Sequence, residues 1–232
     1  MRRTLIIIPA YNEESNIKRV IESLKSNCAQ LDYLVVNDGS KDRTAEICEE
    51  NHYPTLNLPI NLGLEGAFQA GVRYAAQNGY DAALQFDGDG QHDPTYIETL
   101  VKTMDSEQLD VVIGSRFYMQ PKPHTLRMLG SSLISFAIRL TTGQKITDPT
   151  SGMRLFNLTK LDQLSKNINY GPEPDTISYL LRSGAKIKEV QVEMHERIAG
   201  TSYLNLARSA RYMLNMFISI LFVQFFRPRG IL

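Results

Sequence analysis

Cysteine is scarce. The 232 residues contain only Cys28 and Cys48, and both fall where amphipathic helices are expected, as small buried apolar residues. Neither a disulfide framework nor a cysteine-based metal centre is implied, which fits a reducing compartment. An excess of one charge is also lacking: 25 Lys and Arg balance 25 Asp and Glu, so no nucleic-acid-binding surface is expected. Only four apolar residues, 5–8, precede Pro9, too few for a signal peptide, and the chain is expected to stay in the cytoplasm. Two phosphate-binding patterns are missing as well. No Gly-x-Gly-x-x-Gly follows the first predicted strand and no Gly-x-x-x-x-Gly-Lys-[Ser/Thr] occurs anywhere, which leaves a nucleoside diphosphate held by a metal rather than by a glycine loop.

With 43% hydrophobic and 22% charged residues, the chain reads as one large globular domain, or one domain plus an appendage. Strands are predicted over residues 5–8, 33–36, 55–58, 82–86 and 110–113, with helices over about 15–28, from Ser40 or Asp42 to about 50, and from the Asn61 to Gly66 stretch to about 77. Strands alternating with helices predict an α/β fold with a mainly parallel sheet, whose ligands gather at the carboxyl ends of the strands. The polar clusters lie at those ends: Pro9 to Glu13, Asn37 to Ser40, the Asn61 loop and Asp87-Gly88-Asp89-Gly90-Gln91-His92. Asp87 and Asp89 are one residue apart, and Gly88 removes the side chain between them. Such a pincer of hard oxygen ligands suits Mg²⁺ or Mn²⁺. Gln91 could add an oxygen, and His92 a nitrogen to Mn²⁺. Glu13 and Asp38 would then hydrogen-bond the ribose and base.

Together, Pro9-Ala10-Tyr11-Asn12-Glu13, Asn37-Asp38-Gly39-Ser40, Asn61-Leu62-Gly63, the Asp87 to His92 stretch, Gly114-Ser115-Arg116 and Asp148-Pro149-Thr150-Ser151-Gly152-Met153-Arg154 resemble the family 2 glycosyltransferases. The resemblance is strongest to the dolichyl-phosphate mannose synthase and bacterial polyprenyl-phosphate branch, over residues 4–203. It implies a Rossmann-like GT-A fold, a nucleotide-sugar donor, a divalent metal and inversion at the anomeric carbon. By the same resemblance Asp87, Asp89 and Gln91 form the metal site, and Pro9, Tyr11, Glu13 and Asp38 the nucleoside site, with Gly63 and Gly88 beside the donor. Asn37 stands where many relatives carry Asp, and Leu64 where a basic residue often follows the glycine.

The second half is expected to hold the acceptor. Arg116, Lys122, His124 and Arg127 surround a proline-interrupted loop, and a largely apolar helix is predicted over 129–140, as part of the core or lying against a bilayer. A further helix from Glu173 to about Ser183 and a strand over 186–194 follow. The stretch from His195 to Tyr203 resembles the family's Arg-x-x-Gly-x-Ser segment and leaves Arg197 as its main charge. Arg116, Arg127 and Arg197 would grip an acceptor phosphate, since guanidinium forks match phosphate oxygens. A polyprenyl phosphate is already an anion and needs no general base, whereas a sugar hydroxyl does. His195, Asp148, Glu173 and Asp175 are the candidates for that base.

The reading that follows is metal-dependent inverting transfer of a hexose or N-acetylhexosamine from a UDP-sugar to polyprenyl phosphate, making a lipid-linked sugar for the cell envelope. Asp89, Arg116 and Arg197 would carry the chemistry. The alternatives are a GDP-mannose donor, a saccharide acceptor, or a non-catalytic nucleotide-sugar-binding assembly subunit. Residues 1–203 would form the catalytic domain and 204–232 an amphipathic appendage. Its apolar run, 213–226, is bracketed by Arg208, Arg211, Arg227 and Arg229. At about 21 Å it is short of the roughly 30 Å hydrocarbon core. It suits an interfacial helix, or one docked on a small membrane protein or a second copy, holding the enzyme peripherally at the cytoplasmic face of the membrane.

Overall fold

A computed structural model describes residues 2–159, 171–195 and 206–226. Seven strands form one sheet: β1 (Thr4–Ala10), β2 (Asp32–Asn37), β3 (Thr55–Asn57), β4 (Ala82–Gln85), β5 (Val111–Ser115), β6 (Arg154–Asn157) and β7 (Ile187–Gln191), in the spatial order β3-β2-β1-β4-β6-β5-β7. β1 pairs in parallel with β2 and β4, β2 with β3, and β5 with β7. β6 runs antiparallel between β4 and β5. The mainly parallel α/β architecture expected from the sequence is therefore present. β6 was not foreseen; its four residues are buried on both faces and lack the period-2 pattern of a half-exposed strand.

Helices cover both sides of the sheet. α1 (Ile17–Asn27), α2 (Thr44–Glu50) and α4 (Ile97–Glu107) flank one face, where Ile6, Ile8, Val35, Leu84 and Leu155 meet Ile17, Ile21, Cys48 and Leu100. α3 (Gly63–Gln77), α5 (Leu126–Thr142), α6 (Pro174–Arg182) and α7 (Leu206–Leu221) flank the other. Cys28 and Cys48 are both buried and free, as the sequence anticipated. α4 was unforeseen, although Ile97, Leu100, Val101 and Met104 give it a buried stripe. Asp42 rather than Ser40 serves the start of α2, accepting from the Thr44 amide at 3.0 Å, while Ser40 Oγ accepts from the Asn12 amide. The first and second strand-end loops are thus laced together.

α7 is docked on the domain. Ile220 is buried, and Met213, Met216, Phe217 and Leu221 pack on the same core as α5 and α6. A Cβ at Gly130 of α5 would stand 2.8 Å from Met213 Cγ, so this glycine lets the two helices approach. Two polar bonds tie α7 to α6: the Tyr212 hydroxyl donates to Glu173, and Ser219 Oγ donates to Asp175 Oδ2 at 2.8 Å. Tyr212→Phe leaves the half-buried Glu173 carboxylate short of a donor, and urea denaturation is expected to show a loss of about 1–2 kcal/mol. An unchanged midpoint would mean that this bond does not hold α7 in place.

Candidate active site

The geometry of the sheet decides which loops meet. All strands but β6 end at the same edge, and β6, running the other way, begins there. The loops 11–16, 38–43, 57–63 and 86–92 therefore share that edge with the turn 148–153 that feeds β6. Gly152 lies against the pincer: a Cβ there would stand 2.1 Å from Asp87 Oδ2. A Cβ at Gly88 would stand 3.1 Å from the Pro9 carbonyl oxygen, bringing the first and fourth loops together.

Within the pincer, one oxygen of each carboxylate is held by the protein. Gln85 Nε2 donates to Asp87 Oδ1 at 2.9 Å, and the Gln91 amide donates to Asp89 Oδ1 at 3.1 Å. Gln85 was not singled out from the sequence; its signal was an amide inside an otherwise apolar strand. His92 is buried edge-on against Phe86, with Nε2 3.5 Å from Asp87 Oδ2 and neither ring nitrogen hydrogen-bonded. Burial pushes the Asp87 pKa up and the neighbouring Asp89 adds to this, while His92, Gln85 and Arg154 oppose it. A carboxylate so placed is stabilised by a cation. Gln91 sits on the loop, its Nε2 directed at the His195 carbonyl at 3.4 Å, and the His195 amide donates to the Gln91 carbonyl at 2.8 Å. Among the described residues no three His, Cys, Asp or Glu side chains form a set that could hold a metal ion. Two carboxylates and one amide fit an ion that completes its coordination with water and substrate phosphate.

Of the residues expected to bind the nucleoside, Glu13 is buried and accepts from Asn16 Nδ2 at 2.7 Å. Asp38 receives the Leu62 and Gly63 amides, at 2.7 and 2.8 Å, one on each oxygen. Burial raises its pKa and those two amides pull it back. Asp38 thus fixes the start of α3, and a Cβ at Gly39 would fall 2.7 Å from the Ile60 carbonyl carbon. Pro9 and Tyr11 are half-buried at the same edge.

Arg116, expected at an acceptor phosphate, is engaged by its own protein. Nε and Nη2 donate to the two oxygens of buried Asp148 at 2.6 and 2.8 Å, and the Arg116 amide also donates to Oδ2. Burial would raise the Asp148 pKa, but the Arg116 bonds and charge outweigh it and hold it below the usual carboxylate range. The Arg127 side chain and all of Arg197 lie outside the described residues. His195 is exposed, its Nε2 3.7 Å from Asp93 Oδ2.

Glu173 and Asp175 carry the α7 contacts described above. Burial raises Glu173, against the pull of Tyr212 and Arg154. Arg154, fully buried on β6, donates to the carbonyls of Pro172 and Pro149.

Residues 5–165 match the glycosyl transferase family 2. The chain belongs to this family. The transferase is 31% identical over 215 residues to the undecaprenyl-phosphate mannosyltransferase of Micrococcus luteus, with 88% of each chain covered. It is 32% identical to the UDP-N-acetylglucosamine-dolichyl-phosphate N-acetylglucosaminyltransferase of Methanococcus voltae, over 70% of this chain and 72% of that one. In fold it matches the glucosyl-3-phosphoglycerate synthase of Mycobacterium tuberculosis, crystallised with Mn²⁺, UDP and glucosyl-3-phosphoglycerate. The TM-score is 0.71 at 17% identity, covering 95% of this chain and 80% of that one. The shared architecture is the GT-A fold expected from the sequence.

The Arg116 and Asp148 pair gives a prediction with a definite sign. A carboxylate held below its unfolded pKa of about 3.9 contributes stability fully above that value and loses it as the pH falls through the lower folded value. Arg116→Ala strands a buried charge and is expected to cost about 3–5 kcal/mol near neutrality. In urea titrations, the variant should show less loss of stability below about pH 4 than the parent. Equal acid limbs would mean that the pair does not carry the pH dependence.

Proposed function

We propose that the transferase moves a hexose or N-acetylhexosamine, with inversion, from a UDP-sugar to a polyprenyl phosphate, at the cytoplasmic face of a membrane. The product would be a lipid-linked sugar for cell-envelope glycans. The observation that carries this reading is the state of the three carboxylates that were candidates for the base of a hydroxyl acceptor. Asp148 is engaged by Arg116, Glu173 by Tyr212 and Asp175 by Ser219. A phosphate acceptor is its own nucleophile and places no demand on them. The two polyprenyl-phosphate relatives named above support the same acceptor class.

In this reading Asp87 and Asp89, with Gln91, hold Mg²⁺ or Mn²⁺, and the Mn²⁺ and UDP bound by the mycobacterial synthase support the choice of ligand. The bound ion would supply charge neutralisation for the departing diphosphate. Gln85 and the Gln91 amide each take one carboxylate oxygen, which orients the other toward the crevice. Pro9, Tyr11, Glu13 and Asp38 line the nucleoside side, with Gly63 and Gly88 leaving room for the donor. Arg127 and Arg197 are proposed to grip the acceptor phosphate. Arg116 contributes whatever donors its bonds to Asp148 leave over, and aligns the strand-end loop. The enzyme's task is then alignment of the attacking oxygen with the anomeric carbon.

Two measurements test this. Asp89→Ala is expected to lower transfer about 1,000-fold, or roughly 4 kcal/mol, with the thermal transition unchanged. Initial rates with UDP-glucose, UDP-N-acetylglucosamine and GDP-mannose, with and without chelator, identify the donor, and full activity in chelator would refute the metal. Gln85→Leu is expected to weaken Mn²⁺ binding about tenfold, read from the paramagnetic signal of the free ion. Unchanged binding would show that Gln85 does not orient Asp87.

A further inference from the structure

Three strand-end loops are joined by one file of polar contacts that ends on the pincer. Asp42 Oδ1 accepts from the Thr44 hydroxyl at 2.5 Å, and Thr44 Oγ1 accepts from the Glu13 amide at 2.9 Å. Glu13 Oε2 accepts from Asn16 Nδ2 at 2.7 Å, and Asn16 Oδ1 accepts from Arg19 Nη2 at 3.2 Å. Thr44, Glu13 and Asn16 are buried. Arg19, on the first turn of α1, then lies against Gly90. A Cβ at Gly90 would stand 2.2 Å from Arg19 Nη2 and 2.9 Å from both Cζ and Nη1, so the guanidinium occupies the place a side chain of residue 90 would take.

Gly90 separates Asp89 from Gln91, two of the residues proposed to hold the metal. Its φ of +77° is one that a residue with a Cβ rarely adopts. It is buried, although Arg19 itself is exposed. The turn at this glycine sets how far apart the Asp89 carboxylate and the Gln91 amide stand. The loop is covered on one side by Gly152, against Asp87, and on another by Arg19, against Gly90. By charge alone, a guanidinium beside a cation site weakens binding of the ion. Any gain from Arg19 must therefore come from the shape it imposes on the loop.

We propose that Arg19 is a positioning residue for the metal site: its guanidinium, lying on Gly90 and bonded to Asn16, holds Asp89 and Gln91 at the separation the ion requires and links them to Glu13. The inference rests on the metal and donor reading proposed above. Its consequence is coupling between the two halves of the donor site. A nucleoside at Glu13 meets a carboxylate already held by Asn16, and the same Asn16 holds Arg19. A loop ordered through this file by one ligand costs less to order for the second. Coupling is reciprocal, so Mn²⁺ and uridine tighten each other's binding, even though uridine carries no phosphate to bridge to the ion.

The test uses the full chain and the variants Arg19→Ala and Arg19→Lys; the side chain is exposed, so neither should move the thermal transition. Free Mn²⁺ is read from its paramagnetic signal with and without saturating uridine, and uridine binding is read by calorimetry in chelator. The parent should bind Mn²⁺ about fivefold more tightly when uridine is present. Arg19→Ala should bind Mn²⁺ about tenfold more weakly than the parent, gain nothing from uridine, and keep the parent's affinity for uridine in chelator. Arg19→Lys keeps the charge without the flat fork and should stay nearer to Arg19→Ala than to the parent. Equal or tighter Mn²⁺ binding by Arg19→Ala overturns the proposal, since loss of a neighbouring positive charge alone gives that result. So does Arg19→Lys binding Mn²⁺ as the parent does, or a parent that binds uridine without any change in its Mn²⁺ affinity. Failure of the parent to bind Mn²⁺ at all refutes the metal reading itself, and the positioning role falls with it. Failure to bind uridine refutes the nucleoside assignment instead, and the Mn²⁺ arm still decides whether Arg19 positions the loop.

Discussion

A strand that runs against its neighbours begins where they end. β6 lies antiparallel between β4 and β5, so its leading turn, 148–153, arrives at the edge where the other strands deliver their polar loops. The side-chain-free surface of Gly152 then meets Asp87, and Asp148 on the same turn meets Arg116. Were β6 parallel, that turn would sit at the far edge of the sheet. The Asp87 and Asp89 pincer and the Arg116–Asp148 pair are linked through this single reversal.

Behind the edge lies a buried polar file that ties the crevice to the outer helices. Arg154 on β6 is opposite Gln85 on β4, and Gln85 holds Asp87. The charges of Asp87, Asp148 and Glu173 all act to keep Arg154 protonated against its burial, which lowers its pKa. Glu173 is in turn bonded to Tyr212 on α7. Burying an arginine costs several kcal/mol unless carboxylates and carbonyls surround it, and here the carboxylates come from the pincer, the β6 turn and α6. The layer that carries α5 and its exposed stripe of Leu126, Leu129, Leu133 and Leu140 is thereby fastened to the elements that orient Asp87.

Much of this was legible in the sequence because it rests on local signals. The β-branched run of β1, the stripe of α1 and the turn residues after each strand gave the parallel half of the sheet and the crevice. What the sequence hid was long-range pairing. β6 is four buried residues with no alternation, and nothing local tells a reader that it runs antiparallel between β4 and β5. Asp148 and Arg116 are 32 residues apart, and Tyr212 and Glu173 are 39 apart. Arg116, Asp148 and Glu173 read as charges that grip a phosphate or take a proton until the fold gave each a partner. The exposed stripe of α5 was ambiguous for the opposite reason: an apolar helix has the same composition whether one side or two are apolar, and only packing separates them.

The central claim is that the acceptor brings its own negative oxygen, so that the transferase has no need of a base. Its most direct measurement is the initial rate of sugar transfer to a polyprenyl phosphate, compared with the rate to the corresponding free polyprenol and to a soluble saccharide, with the same donor and metal. The account predicts transfer to the phosphate alone, with the glycosidic bond formed at the phosphate oxygen. Transfer to the free alcohol or to the saccharide at a comparable rate would contradict it.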